Sequence, residues 1–175
     1  MTVSGLLIRR ETRDDYEAIS GVHALAFGRE NESRLVERLR GTAPFISELS
    51  LVAQLDGRVV GHVLFFPVAV ADGKVRREAL ALAPLAVLPD RQRKGIGGRL
   101  VKAGLDAAAG LGWRAALVLG GPGYYSPFGF EPARRWRIEA PFPVPDDAFM
   151  AMELIAGGLA ACSGTVEYPD AFNDV

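Results

Sequence analysis

The sequence predicts an α/β protein, with α and β segments mixed along the chain (an α+β arrangement) and a mixed sheet at the centre. Three observations carry that expectation. Residues 79–88 and 115–119 are nearly unbroken apolar runs separated by a polar glycine loop and a helical stripe. That order is strand, loop, helix, strand, which calls for two parallel strands joined by a right-handed crossover. Asp56-Gly57 stands between two further apolar runs, a strong signal for an antiparallel hairpin. Residues 149–154 and 163–168 read as closing strands. With 175 residues and no composition break that marks a linker, one domain spanning 1–175 is expected, because domains run to ~100–200 residues. Its core covers about 6–135, and an extension over 136–175 completes the same sheet.

Each element has a local reason. Residues 6–10 form a short first strand. Asp14 can cap a helix running to about Phe27, with Ile19, Val22, His23 and Phe27 near one face. Residues 31–40 form a second helix with Leu35, Val36 and Leu39 inward. The hairpin comprises residues 51–55 and 58–70, and Pro67 marks a bulge or the end of its second arm. The run at 79–88 suits a strand buried on both faces, with Pro84 forcing a bulge or a splayed pairing. Residues 97–111 carry the stripe Leu100, Gly104, Leu105, Ala108 and Leu111, and Gly112 stops that helix. Residues 120–130 (GGPGYYSPFGF) form a loop around at most one short helix, and the proline-rich stretch 137–149 is a loop.

Composition narrows the function. Hydrophobic residues are 49% and charged residues 23%, an ordinary globular balance that excludes a disordered or fibrous chain. No apolar run approaches the ~18–20 residues of a membrane span, and the N-terminus lacks the apolar stretch of a signal peptide. A cytoplasmic protein without membrane partners is expected. The single cysteine, Cys162, excludes an internal disulfide and a cysteine-based zinc cluster, and no metal is expected. The net charge of −1 argues against nucleic acid as a partner. The charge is unevenly spread, however. Residues 74–102 hold eight basic side chains against Glu78 and Asp90, whereas 138–175 hold seven acids and no Lys or Arg. The basic stretch suits a small anionic ligand or, more simply, a solvated face.

Within that stretch lies Gln92-Arg93-Lys94-Gly95-Ile96-Gly97-Gly98, followed by Arg99, between a buried strand and a helix. A helix start offers unpaired N–H groups and roughly half a positive charge, a natural seat for an anion. Glycines let the backbone approach such an anion without an intervening Cβ. The chemistry suits a phosphate or pyrophosphate. A Walker loop needs Gly-Lys-Ser/Thr, which is missing, and the dinucleotide fingerprint fails because Leu100 stands where its third glycine belongs. On these residues alone, a tight turn with solvated basic side chains remains the other reading.

Gln92-x-x-Gly95-x-Gly97 resembles the Q/R-x-x-G-x-G/A signature of the GNAT N-acetyltransferase superfamily, and Tyr125-x-x-x-Gly129-Phe130 resembles its later Y-x-x-x-G-F segment. The longer stretches LAPLAVLPDRQRKGIGGRLV, ALVLGGPGYYSPFGF and GHVLFFPV are similar to the YhbS-like branch of that superfamily. The resemblance covers about residues 6–168. It implies a GNAT fold, a central mixed sheet flanked by helices, with the strands near 82–88 and 115–119 splayed apart. It further implies acetyl-CoA as co-substrate, with its pyrophosphate on backbone N–H groups over 93–99 (Arg93, Lys94, Gly95, Ile96, Gly97, Gly98, Arg99) and Gln92 beside them. The pantetheine arm would pair with Leu85, Ala86 and Val87, and Tyr124 and Phe128 would line the coenzyme site. The acetyl group would pass directly to an amine through a tetrahedral intermediate, with Tyr125 protonating the leaving thiolate.

The family pattern is incomplete in one respect. Many relatives carry a basic carboxylate on the fourth strand, and residues 79–88 contain none. Glu32, at the start of the second helix, is one candidate base; with Glu30 it also favours that helix dipole. His62, on an apolar strand, is either a satisfied core histidine or a group lining the acceptor pocket. Glu153 stands alone among apolar neighbours, and Cys162 suits simple packing. A non-catalytic CoA-binding sensor or scaffold is the alternative function. The acceptor, a small molecule or a protein amine, and the choice between monomer and homodimer are left open by the sequence.

Overall fold

A computed structural model describes residues 3–175. The chain divides into two compact units, one of residues 3–66, 83–107 and 171–175, the other of 67–82 and 108–170.

The first unit starts with strand β1 (Leu7–Arg10). The turn that follows is set by Asp15, whose carboxylate accepts from the Thr12 backbone N–H at 2.7 Å and from two Arg9 nitrogens at 2.7 and 2.8 Å. The cap expected at Asp14 is therefore corrected. Asp14 stays exposed because Asp15 is the carboxylate that Arg9 reaches. Helix α1 (Tyr16–Phe27) buries Ile19, Val22 and His23, but Phe27 is exposed rather than inward. It sits in the last turn, where Gly28 at φ 68° already leads the chain away. Helix α2 (Asn31–Arg40) buries Leu35, Val36 and Leu39 as its period demands. Strand β2 (Ser50–Leu55) pairs antiparallel with β1 and with β3 (Arg58–Asp72), across a turn with φ 49° at Asp56 and 76° at Gly57. Both positive angles fit the hairpin turn that Asp-Gly predicts.

Strand β3 runs straight through Pro67 to Asp72, so the proline does not end the arm. Strand β4 (Val75–Val87) follows it, with a cis bond before Pro84. Only the later part of β4 belongs to the first unit, and its end is tied to β3 by Leu88 N–H donating to the Val60 carbonyl at 2.9 Å. Helix α3 (Ile96–Gly110) packs on β3 through Gly104, where a Cβ would stand 2.1 Å from the Phe65 ring. The unit's core is Ile19, Leu35, Val36, Leu39, Val52, Leu64 and Phe66, with Phe172 returning from the C-terminus onto Phe66.

In the second unit β5 (Ala115–Leu119) pairs parallel with β4, as the crossover rule requires. That pairing joins Leu80 to Ala116 and Ala81 to Leu117. Leu111, expected inward, is exposed because α3 ends at Gly110 and the chain has left the helical stripe. A short helix α4 (Pro122–Tyr125) follows β5. Strand β6 (Glu131–Pro132) lies between the two stretches read as loops, and β7 (Ile138–Glu139) is a two-residue piece inside the second of them. Strand β8 (Phe149–Glu153) pairs antiparallel with β5 and β6. Strand β9 (Gly164–Glu167) pairs antiparallel with β3 and parallel with β7. Parallel and antiparallel ladders thus coexist, which is the mixed α/β sheet expected. Its core is Val68, Val70, Ala81, Leu117, Phe149, Ala151 and Val166 among others.

Candidate functional site

The glycine loop sits at the start of α3. Arg93 at φ 59° and Gly95 at φ 82° turn the chain so that Ile96, fully buried, anchors the first helical turn. Space at Gly95 is open; no atom beyond its own and its two chain neighbours' lies within 4 Å of where its Cβ would be. Gly97 and Gly98 lie within the helix itself. The first-turn N–H groups have no acceptor inside the helix, so they face outward as donors. Arg93 and Lys94 are exposed beside them. Three side chains fix the loop from behind. Gln92 Nε2 donates to the Val87 carbonyl at 3.0 Å, Lys94 Nζ to the Asp90 carbonyl at 2.9 Å, and Arg99 to the Leu6 carbonyl at 3.1 Å. The Gln92 bond joins the loop to the end of β4, where Ala86 and Val87 are buried and Leu85 half-buried. Built this way, the cradle suits a phosphorylated ligand.

Tyr125 ends α4 in the second unit. Its ring lies edge-on to Phe130, with centroids 5.8 Å apart, and to Tyr124 at 4.9 Å. Phe128 packs on Tyr124 at 5.8 Å. The spacing Tyr-x-x-x-Gly-Phe has a direct cause: Gly129 at φ 105° reverses the chain, and the buried Phe130 returns beneath the Tyr125 ring. Gly120 is equally required, since a Cβ there would stand 2.3 Å from the Tyr125 ring. Nothing in the sequence marked that contact. Burial pushes the Tyr125 phenol up to about 12, so it stays protonated and able to donate at neutral pH. Tyr124 is more exposed and its phenol is also raised by burial.

The acidic and histidine candidates are engaged internally. Glu32 is buried and accepts from Arg29 Nε at 3.1 Å. Glu153 accepts from the backbone N–H of Gly157 and Leu159 at 3.2 and 3.1 Å, and so pins a loop. His62 is fully buried. Its Nε2 lies 2.8 Å from Ser50 Oγ and 3.4 Å from a Glu11 oxygen, and its Nδ1 lies 2.8 Å from His23 Nε2. Arg40 donates to Glu11 at 2.8 and 3.0 Å. An ionised Glu11 only accepts, which places the His62 proton on Nε2. His62 Nδ1 then accepts from His23, and His23 Nδ1 is left without a hydrogen-bond partner. Sequence reading singled out His62 as a candidate but not Glu11, just after β1, His23 of α1 or Ser50 of β2, which share no local spacing with it.

A model of the Acetyltransferase (GNAT) domain family matches residues 7–133. The uncharacterized N-acetyltransferase YhbS of Escherichia coli is 36% identical over 169 residues, 96% of this chain and 99% of that one. The uncharacterized N-acetyltransferase YjhQ of Escherichia coli is 36% identical over 149 residues, 84% of this chain and 82% of that protein. The chain belongs to the GNAT acetyltransferase family. Solved GNAT structures agree in fold. The YhbS crystal structure in complex with CoA has a TM-score of 0.89 at 33% identity, covering 99% of this chain and 94% of that one. A GNAT acetyltransferase from Brucella melitensis in complex with acetyl-CoA has a TM-score of 0.76 at 32% identity, covering 95% and 97%. Among the described residues of this GNAT chain no group of three or more His, Cys, Asp or Glu is placed to hold a metal, and no helix is long and apolar enough to cross a membrane.

The buried histidine pair makes the stability of this GNAT chain pH-sensitive. Burial, with the neighbouring His62, lowers His23 to about 2, and burial also lowers His62. Below the unfolded value of ~6.5 the unfolded chain takes up protons that the native pair refuses, so stability falls as pH falls. For His23 alone the slope is ~1.4 kcal/mol per pH unit below that point. Glu11 adds to the loss lower down. His62 and Arg40 outweigh its burial and hold its carboxyl at about 2, so its contribution disappears as pH drops from ~4.5 toward 2. Urea midpoints measured at pH 7, 5.5 and 4.5 should fall steeply, and His23→Phe should flatten the trend. A midpoint independent of pH would contradict the buried, neutral pair.

Proposed function

We propose that this chain is an acetyl-CoA-dependent N-acetyltransferase that passes the acetyl group directly to an amine. The observation that carries the reading is the open cradle over residues 93–98, with outward first-turn donors, open space at Gly95 and exposed cations. It fits the pyrophosphate of a coenzyme, and solved relatives at 32–33% identity hold CoA or acetyl-CoA. Backbone N–H groups over 93–98 bind the pyrophosphate, with Arg93 and Lys94 adding charge; the Arg99 N–H, expected to join them, instead donates to the Gly95 carbonyl at 3.1 Å. The β4 edge at Leu85, Ala86 and Val87 receives the pantetheine arm, and Gln92 holds that edge against the loop. Tyr124 and Phe128 supply apolar surface, and Tyr125 donates its proton toward the thiolate that leaves. Acetyl-CoA supplies the activated acetyl thioester. The family match runs through both compact units, which supports one functional domain.

The test is ligand linkage followed by turnover. At 100 times Kd, acetyl-CoA adds ~2.7 kcal/mol to stability. At ~2–4 °C per kcal/mol for this size, Tm should rise by roughly 5–11 °C. ATP and NAD at equal concentration should do much less. Thiol release with acetyl-CoA across an amine panel then reports transfer. A larger shift with NAD than with acetyl-CoA sinks the coenzyme assignment. Binding without thiol release on any amine would instead make the chain a CoA-binding module.

A further inference from the structure

A groove of about 620 Å³ opens in the second unit, and none of the residues assigned to acetyl-CoA lines it. It lies at the amino ends of the parallel pair β4 and β5. Arg77 and Glu78 precede the paired Leu80, and Trp113 and Arg114 precede Ala115. Tyr125 follows the carboxyl end of β5, with ~13 Å of strand between the two ends. The groove is held in shape. Gly158 packs so closely that a Cβ would stand 2.0 Å from the Arg114 carbonyl, which itself accepts from Leu154 N–H at 2.9 Å. The loop carrying Gly157 and Leu159 is pinned by the Glu153 carboxylate.

Its chemistry is distinctive. Three arginines of this unit are paired elsewhere: Arg76 with Glu167, Arg134 with Asp147 at 2.9 Å, and Arg135 with Glu131, while Arg137 lies outside the groove lining. Arg77 and Arg114 border the groove with no ion pair or side-chain hydrogen bond among the described residues. Glu78 leaves the charged lining with one positive charge in excess, which matches a single anionic group. The Trp113 indole supplies an aromatic surface beside a floor of glycine and alanine. Two guanidiniums recognise a carboxylate, and a flat aromatic wall over small residues recognises a ring.

We propose that this groove is a second ligand site, distinct from the coenzyme cradle, that binds a small aromatic monocarboxylate. The site does not depend on the acetyltransferase reading. Cys162 also lines the groove but is buried, so occupancy is read directly by isothermal titration of the folded chain with each probe. The probes are benzoate, benzamide as its uncharged counterpart, and acetate as an anion without a ring. Benzoate should bind at one site per chain with a Kd of about 1 mM or below. Arg77→Ala and Arg114→Ala should each weaken benzoate by about 10–100-fold, the loss expected for one charged hydrogen bond. The Tm without ligand should be unchanged in both, since these exposed side chains carry little of the stability, which shows that the variants fold. Binding of benzamide or acetate as tight as that of benzoate, binding that survives the double variant, or no binding at millimolar benzoate would each overturn the site.

Discussion

Gly97→Val is expected to abolish acetyl-CoA binding while leaving the protein folded. Gly97 lies in the first turn of α3 and is not among the positive-φ positions of the chain, so valine meets no backbone strain there. Its side chain would instead fill the space a phosphate needs and push the anion away from several N–H donors. Each hydrogen bond to a charged group contributes ~1.5–3 kcal/mol, so losing two weakens binding by about 10²–10⁴-fold. Gly95 differs, because its φ of 82° makes any side chain strained even though the space is open. Arg93→Ala should cost at most about tenfold, since it removes one exposed cation and no backbone donor. Isothermal titration with acetyl-CoA measures all three. A Gly97→Val protein that binds like the parent reduces the loop to a turn and removes the basis of the coenzyme assignment.

Tyr125→Phe should lower kcat by ~10²-fold, the lower end of general acid catalysis. Two facts hold it to that end. A CoA thiolate, with a thiol pKa of ~8.5, leaves fairly well unaided. The Tyr125 phenol, at about 12, is a weaker acid than that thiol, so it stabilises the developing charge by hydrogen bonding more than by complete transfer. KM for acetyl-CoA should hardly change, because the bond strengthens only as charge develops. The ring contacts with Tyr124 and Phe130 survive in phenylalanine, so Tm should be preserved. Tyr125 should contribute no alkaline limb to kcat below pH ~11, given its raised value. Tyr124→Phe is the control and should cost little. Damage by Tyr124→Phe with Tyr125→Phe silent would move the acid by one residue; silence of both would remove it.

What was legible in the sequence shares one property: the cause and the effect lie close together along the chain. Asp56-Gly57 specifies its own turn, and the apolar runs over 79–88 and 115–119 specify buried strands around a helix whose period is read in one pass. The cradle was legible for the same reason, because glycines and basic residues over 92–99 are contiguous. Tyr125, Gly129 and Phe130 are six residues from end to end. Where a long-range partner decides, local reading fails. Glu11, His23, Ser50 and His62 become one buried network only when the segment after β1, α1, β2 and β3 are packed, because each polar group must find its partner away from water. The glycine at 104 matters only because Phe65, far off in the chain, lies against it, and the groove exists only because Arg77, Arg114 and Cys162 come together from three separate segments. Periodicity and turn chemistry act over a few residues and therefore appear in the sequence; close packing and buried polar pairing act across space and are decided by the tertiary structure alone.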